Sequence, residues 1–97
     1  MILNNLQGIY YNSSIVNGKQ SWNSTNGALW YAEGAWIFGS YEMMGHYFGD
    51  VYSPFGNQCP FDLSSKKWYY SHWSNGWIIA EENEIYVLCL NGNILES

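Results

Sequence analysis

The chain has no arginine and only three lysines, Lys19, Lys66 and Lys67. At a net charge of −5 it lacks the clustered cations that neutralise phosphates, which excludes nucleic acid as an expected partner. Anionic membrane surfaces are disfavoured on the same ground. Long hydrophobic runs are missing too. Stretches such as Ala35-Trp36-Ile37-Phe38 stop far short of the roughly 20 residues that a membrane-spanning helix needs, so no membrane insertion is expected. Met1-Ile2-Leu3-Asn4-Asn5 carries no basic segment and no long apolar stretch behind it, so it does not read as a signal peptide. The compartment stays open, and secretion would require a leader outside this chain.

Cysteine is scarce. Cys59 and Cys89 are too few for a disulfide framework. One bridge between them would close a loop of about 30 residues and contribute roughly 3–4 kcal/mol. The simpler expectation is a loop thiol at Cys59 and a core residue at Cys89, since cysteine is among the most buried residue types. Two glycosylation sequons, at Asn12 and Asn23, settle nothing in a chain so rich in Asn and Ser.

Aromatic residues are abundant, with six Trp, nine Tyr and four Phe in 97 residues. Asn-Gly occurs at 17–18, 26–27, 75–76 and 91–92, each beside an aromatic or β-branched run. Both residues tolerate the positive φ of a type I′ turn, so the pattern predicts hairpins throughout. The clearest hairpin runs from Ala28 to Gly39, with a two-residue loop at Glu33-Gly34. It would set Ala32 against Ala35, Tyr31 against Trp36 and Trp30 against Ile37, leaving Leu29, Tyr31, Trp36 and Phe38 on one face. Trp30 and Ile37 fall on the other. A strand apolar on both faces is either doubly covered or displays rings to a partner.

Trp68-Tyr69-Tyr70 and Trp77-Ile78-Ile79 echo Trp30-Tyr31 and Trp36-Ile37-Phe38, which predicts pseudo-repeats over 28–42 and 66–83. Strands are also expected over 6–12, 19–23 and 84–90, the last in a central position, with an edge strand at Ile94-Leu95. Residues 62–73 read as strand by the duplication, with a short helix from Asp62 as the alternative. Gly45 to Cys59 is the longest irregular stretch, and its aromatics are expected to fold back on the body.

Motifs for chemistry are few. His46 and His72 stand outside any nucleophile motif, and Gly-x-Ser-x-Gly is absent. Cys59, Cys89, His46 and His72 are zinc-type ligands without zinc-module spacing. Glu33, Glu42, Asp50 and Asp62 would supply an acid–base pair only if the fold converged them; Glu81, Glu82 and Glu84 read as a solvated acidic turn. Neither metal nor cofactor is expected. The surplus lies in aromatics, with Trp30, Trp36, Trp77 and Tyr86 assigned to the core by their strands. Loop positions Tyr47, Asp50, Tyr52, Asn57, His72, Trp73 and Asn75 are the expected binding residues.

The sequence thus predicts one all-β domain over residues 1–97. Five to seven short antiparallel strands would form a small sandwich or partly closed barrel. The expected function is a non-catalytic recognition module that binds a glycan or a protein through loop aromatics. A self-assembling structural protein, its rings forming a homo-oligomer interface, is the rival. A small hydrolase is third, and needs Asp50, His46 or His72 in one cleft.

Overall fold

The computed structural model describes residues 9–72, 76–80, 88–89 and 94–96, the side chains of 72, 88–89 and 94–96 excepted. They form an all-β antiparallel fold. Strands β1 (Ile9–Val16), β2 (Lys19–Ser24), β3 (Gly27–Ala32), β4 (Ala35–Gly39), β5 (Val51–Ser53), β6 (Tyr69–His72) and β7 (Gly76–Ile79) follow one another as a meander. Chain segments β8 (Leu88–Cys89) and β9 (Ile94–Glu96) complete the sheet in the order β7-β6-β5-β4-β3-β2-β1-β9-β8, not closed into a barrel. Six described strands have four residues or more, as the turn signals imply; three shorter ones add to them. Among the described residues no helix is long and apolar enough to cross a membrane.

Turn chemistry sets the β1–β2 and β3–β4 hairpins. Asn17 and Gly18 have φ of 54° and 88°, and Glu33 and Gly34 have 47° and 88°, the left-handed pairs that a type I′ turn needs. From Glu33-Gly34 the register follows as the alternation demands: Ala32 pairs with Ala35, Tyr31 with Trp36 and Trp30 with Ile37.

The sheet is strongly coiled. Neighbouring strands lie about 4.8 Å apart, so β1 and β4 would be separated by about 14 Å in a flat sheet. Instead the rings of Tyr10 on β1 and Phe38 on β4 meet edge to face at 5.4 Å. A bulge in β1 contributes, because the pairing shifts by one residue between Asn12 and Ile15. Buried Ser21 satisfies the bulge: its hydroxyl donates to the Ser14 carbonyl at 2.6 Å and accepts the Ser14 N–H at 3.3 Å.

Coiling buries the concave face on itself. Tyr10, Trp22, Leu29, Trp36, Phe38, Val51, Leu63 and Trp68 form the main core, with Tyr31 and Tyr70 packed against it. Burial raises the Tyr10 phenol to about pKa 12, an effect that a hydrogen bond with Ser24 partly offsets. The folded value stands above the ordinary 10.0, so this contribution is intact below pH 10 and is lost as pH rises through 12. Urea midpoints should hold steady to about pH 10 and then fall, by on the order of 2 kcal/mol in stability. Tyr10→Phe should flatten that decline; an unchanged decline would assign it to other groups.

The convex face has a different cover. Eleven residues between β4 and β5 (40–50) cross it as a strap, entering through a 3-10 turn at Tyr41–Met43. Met43 and Met44 pack on a second cluster of Ala28, Trp30, Ala32, Ala35 and Ile37. Trp30 donates its indole N–H to the His46 carbonyl at 2.9 Å, and Asn17 Nδ2 donates to the Gly45 carbonyl at 3.1 Å. Doubly covered β3 and β4 are therefore buried almost throughout.

Several expectations change. Val51–Ser53 is a strand within the stretch read as irregular. Within 62–73 the strand begins only at Tyr69, and no helix starts from Asp62: lone 3-10 turns at Pro60–Asp62 and Ser65–Lys67 precede β6. Ile94-Leu95 lies in β9, between β1 and β8, and is not at an edge. Of 84–90, only Leu88–Cys89 is described, and it ends the strand order instead of occupying the centre. Of 6–12, residues 6–8 lie outside the described residues, while β1 runs on to Val16. The two echoed hairpins differ in register by two: Tyr31 faces Trp36, whereas Tyr69 faces Ile79. Cys59 is an exposed free thiol, as the simpler expectation has it; the side chain of Cys89 lies outside the described residues.

Candidate functional site

The strap covers only part of the convex face. Beyond it, cross-strand pairing sets Ile37, Tyr52, Tyr69 and Ile79 in one row across β4 to β7. Their burial falls along the row: Ile37 is buried, Tyr52 and Tyr69 are half-buried, and Ile79 is exposed. Two residues before Ile79, Trp77 shares its face by the strand alternation and is 48% exposed. Rings reserved for a core would not be left so open.

These rings order one another. Tyr52 stacks on Tyr69 with centroids 5.1 Å apart and planes within 16°. Trp77 meets Tyr52 edge to face at 4.8 Å. Both are favoured aromatic geometries, worth about 0.5–1.5 kcal/mol beyond area burial. The strap supplies the facing wall through Tyr47 and Phe48, each 56% exposed. Phe48 is steadied by the His46 ring, stacked at 5.1 Å and 21°. Ile37 and Gly49 complete a cleft of about 340 Å³, at the small end of the roughly 300–1,000 Å³ found for ligand pockets.

Gly49 makes the close approach of strap to sheet feasible. A Cβ there would overlap the Ile37 Cγ2 and lie 2.8 Å from the Phe38 carbonyl oxygen. That carbonyl accepts the Asp50 N–H at 2.9 Å, which pins the strap where it rejoins β5.

The cleft combines apolar faces with phenol tips. Among the described residues its lining carries no carboxylate, ammonium or imidazole. Partial burial raises the Tyr52 pKa, and the neighbouring Tyr69 and Tyr47 phenols reinforce the shift, so Tyr52 keeps its proton as a neutral donor. Two of the three lysines are engaged elsewhere: Lys19 lies over the Tyr31 ring and Lys67 over the Phe55 ring, each 4.9 Å from the centroid.

Of the expected binding residues, the structure brings Tyr47 and Tyr52 together. Tyr52 does so from a strand and not from a loop. Asp50 sits beside the cleft without lining it; its backbone bonds Phe38 and accepts the Ser71 N–H at 3.1 Å. Asn57 lies at the other end of β5, next to Gly56, whose N–H bonds the Gly34 carbonyl in the β3–β4 turn. His72 pairs with Gly76 at the end of β6, and Trp73 and Asn75 lie outside the described residues. Trp77, expected in the core, is instead a wall of the cleft. Trp30 and Trp36 are buried as expected, and Tyr86 is outside the described residues. Phe48 and Trp77 escaped sequence reasoning because their exposure depends on where the strap ends. Trp77 and Ile79 do alternate on one face, but the alternation does not say which face is covered.

No family model matches the chain, and neither a characterised protein nor a solved structure shows significant similarity to it.

Proposed function

We propose that this protein is a non-catalytic recognition module that holds a neutral glycan in the cleft between the strap and the β5–β7 face. The observation that carries this reading is the convergence of Tyr47, Phe48, Tyr52 and Trp77 on one concave, charge-free space. A pyranose ring presents an apolar C–H face to an aromatic plane and hydroxyls to its edge. Tyrosine matches both, since each ring carries a polar handle. Concavity favours a small rigid ligand over a flat protein surface, which is usually engaged over about 800 Å² per partner. The uncharged lining supports binding without chemistry, because acid–base cleavage of a glycoside needs two carboxyl groups.

A panel of soluble neutral oligosaccharides, titrated by calorimetry and tryptophan fluorescence, tests the reading. Saturable binding is expected, and Trp77→Ala and Tyr52→Ala should each weaken it about tenfold or more. No saccharide bound at millimolar concentration would overturn it. Sedimentation covers the rival: a concentration-dependent oligomer that Trp77→Ala dissolves would assign the same rings to self-assembly.

A further inference from the structure

The strap divides the convex face, and a second groove lies on its opposite side. We infer that this groove, between Tyr11 of β1 and Tyr41 of the strap, is a separate site for a neutral, hydroxyl-rich sugar. Tyr11 and Tyr41 are 55% and 53% exposed, and Ile9 beside them is 42% exposed. The floor is the end of β2 and the turn into β3, from Asn23 to Asn26. The space measures about 600 Å³ and opens to solvent.

The groove differs from the first cleft in its floor. There Ile37 and Gly49 lie between the rings; here amides and hydroxyls do. Asn23 faces Tyr11 across the β1–β2 ladder. Its Nδ2 donates to Ser13 Oγ at 2.8 Å, which fixes the amide and presents its Oδ1 as an acceptor. Ser24 Oγ accepts the Asn26 N–H at 3.0 Å, ordering the turn, and Thr25 stands exposed at its tip. A carbonyl acceptor beside a hydroxyl is the inventory that pairs with adjacent sugar hydroxyls, each of which both donates and accepts. Flanking tyrosines offer the apolar planes. Among the described residues the groove carries no charged lining side chain, which selects against sulfated or phosphorylated sugars in a chain of net charge −5.

This inference rests on the same ligand chemistry as the proposed function, but on different residues. The two are separable by nuclear magnetic resonance on the isotopically labelled full chain, titrated with cello-, manno- and galacto-oligosaccharides. Amides of Asn23 to Asn26 should shift saturably. Their affinity should fall about tenfold or more in Tyr11→Ala and in Tyr41→Ala, and stay unchanged in Trp77→Ala. Both tyrosines are exposed, and retained spectral dispersion confirms that either variant folds. Silent Asn23 to Asn26 amides beside a responding Trp77 indole would overturn the second site and leave the cleft standing. The reverse pattern would support the groove and overturn the cleft. Silence at both would overturn both.

Discussion

Trp30→Ala is expected to destabilise the protein by about 3–5 kcal/mol, the range for removing a buried aromatic from a close-packed site. Trp30 is fully buried in a cluster with Ala28, Ala32, Ala35 and Ile37, under Met43 and Met44, and side chains fixed in a packed core relax only partly into a cavity of that size. Its ring also reaches the glycine at the end of β4: a Cβ on Gly39 would lie 3.0 Å from the indole. With a total stability of about 5–15 kcal/mol for a typical domain, that loss removes a large share of the margin. The indole has a second task, because its N–H holds the His46 carbonyl and with it the strap. Trp30→Phe keeps most of the packing while removing this bond, at a smaller cost of about 1–2 kcal/mol. Urea unfolding separates the two variants. In Trp30→Phe, Tyr47 and Phe48 should lose protection and saccharide affinity should fall while the core holds. Equal stability losses in both variants would show that the hydrogen bond, and not the ring volume, dominates.

Gly49→Ala is expected to lift the strap from the sheet and cost about 1–3 kcal/mol, as overpacking of a tight contact does. The added methyl group meets the Ile37 side chain and the Phe38 carbonyl. The side chain can give a little; the carbonyl cannot, because it belongs to β4 and already accepts the Asp50 N–H. The strap must move instead, taking Tyr47 and Phe48 away from Tyr52 and Trp77. Lower stability with weakened binding in the cleft is the expected outcome, read by unfolding and titration together. Binding that survives unchanged would mean that the strap wall contributes nothing to recognition.

These two positions also show how far the sequence could be read. The Trp30–Ile37 pairing was legible, because a Glu33-Gly34 turn fixes the register and alternation assigns every ring to a face. The ring faces came out as the pattern requires, with Leu29, Trp36 and Phe38 in one cluster and Trp30 and Ile37 in the other. Gly49 is only one residue of the irregular stretch from Gly45 to Cys59 when read in sequence. Its close approach to Ile37 involves two segments 12 residues apart, and nothing local encodes that contact. Val51–Ser53 was illegible for a related reason: three residues are too few for a periodic signal, and pairing with β4 on one side and β6 on the other makes them a strand. Tyr52 therefore looked like a loop ring and is a strand ring. Trp77 looked like a core ring and is half in solvent.

Local chemistry alone determined the all-β class, the type I′ turns at Asn17-Gly18 and Glu33-Gly34, and which side chains share a face. Those depend on φ preferences and on a period of two, both properties of adjacent residues. Tertiary structure decided which face is covered and how far. The coil of the sheet hides one set of rings against itself. The strap hides part of the other set and leaves an aromatic space on each side. Exposure depends on what packs opposite a side chain, and that comes from segments remote in the chain.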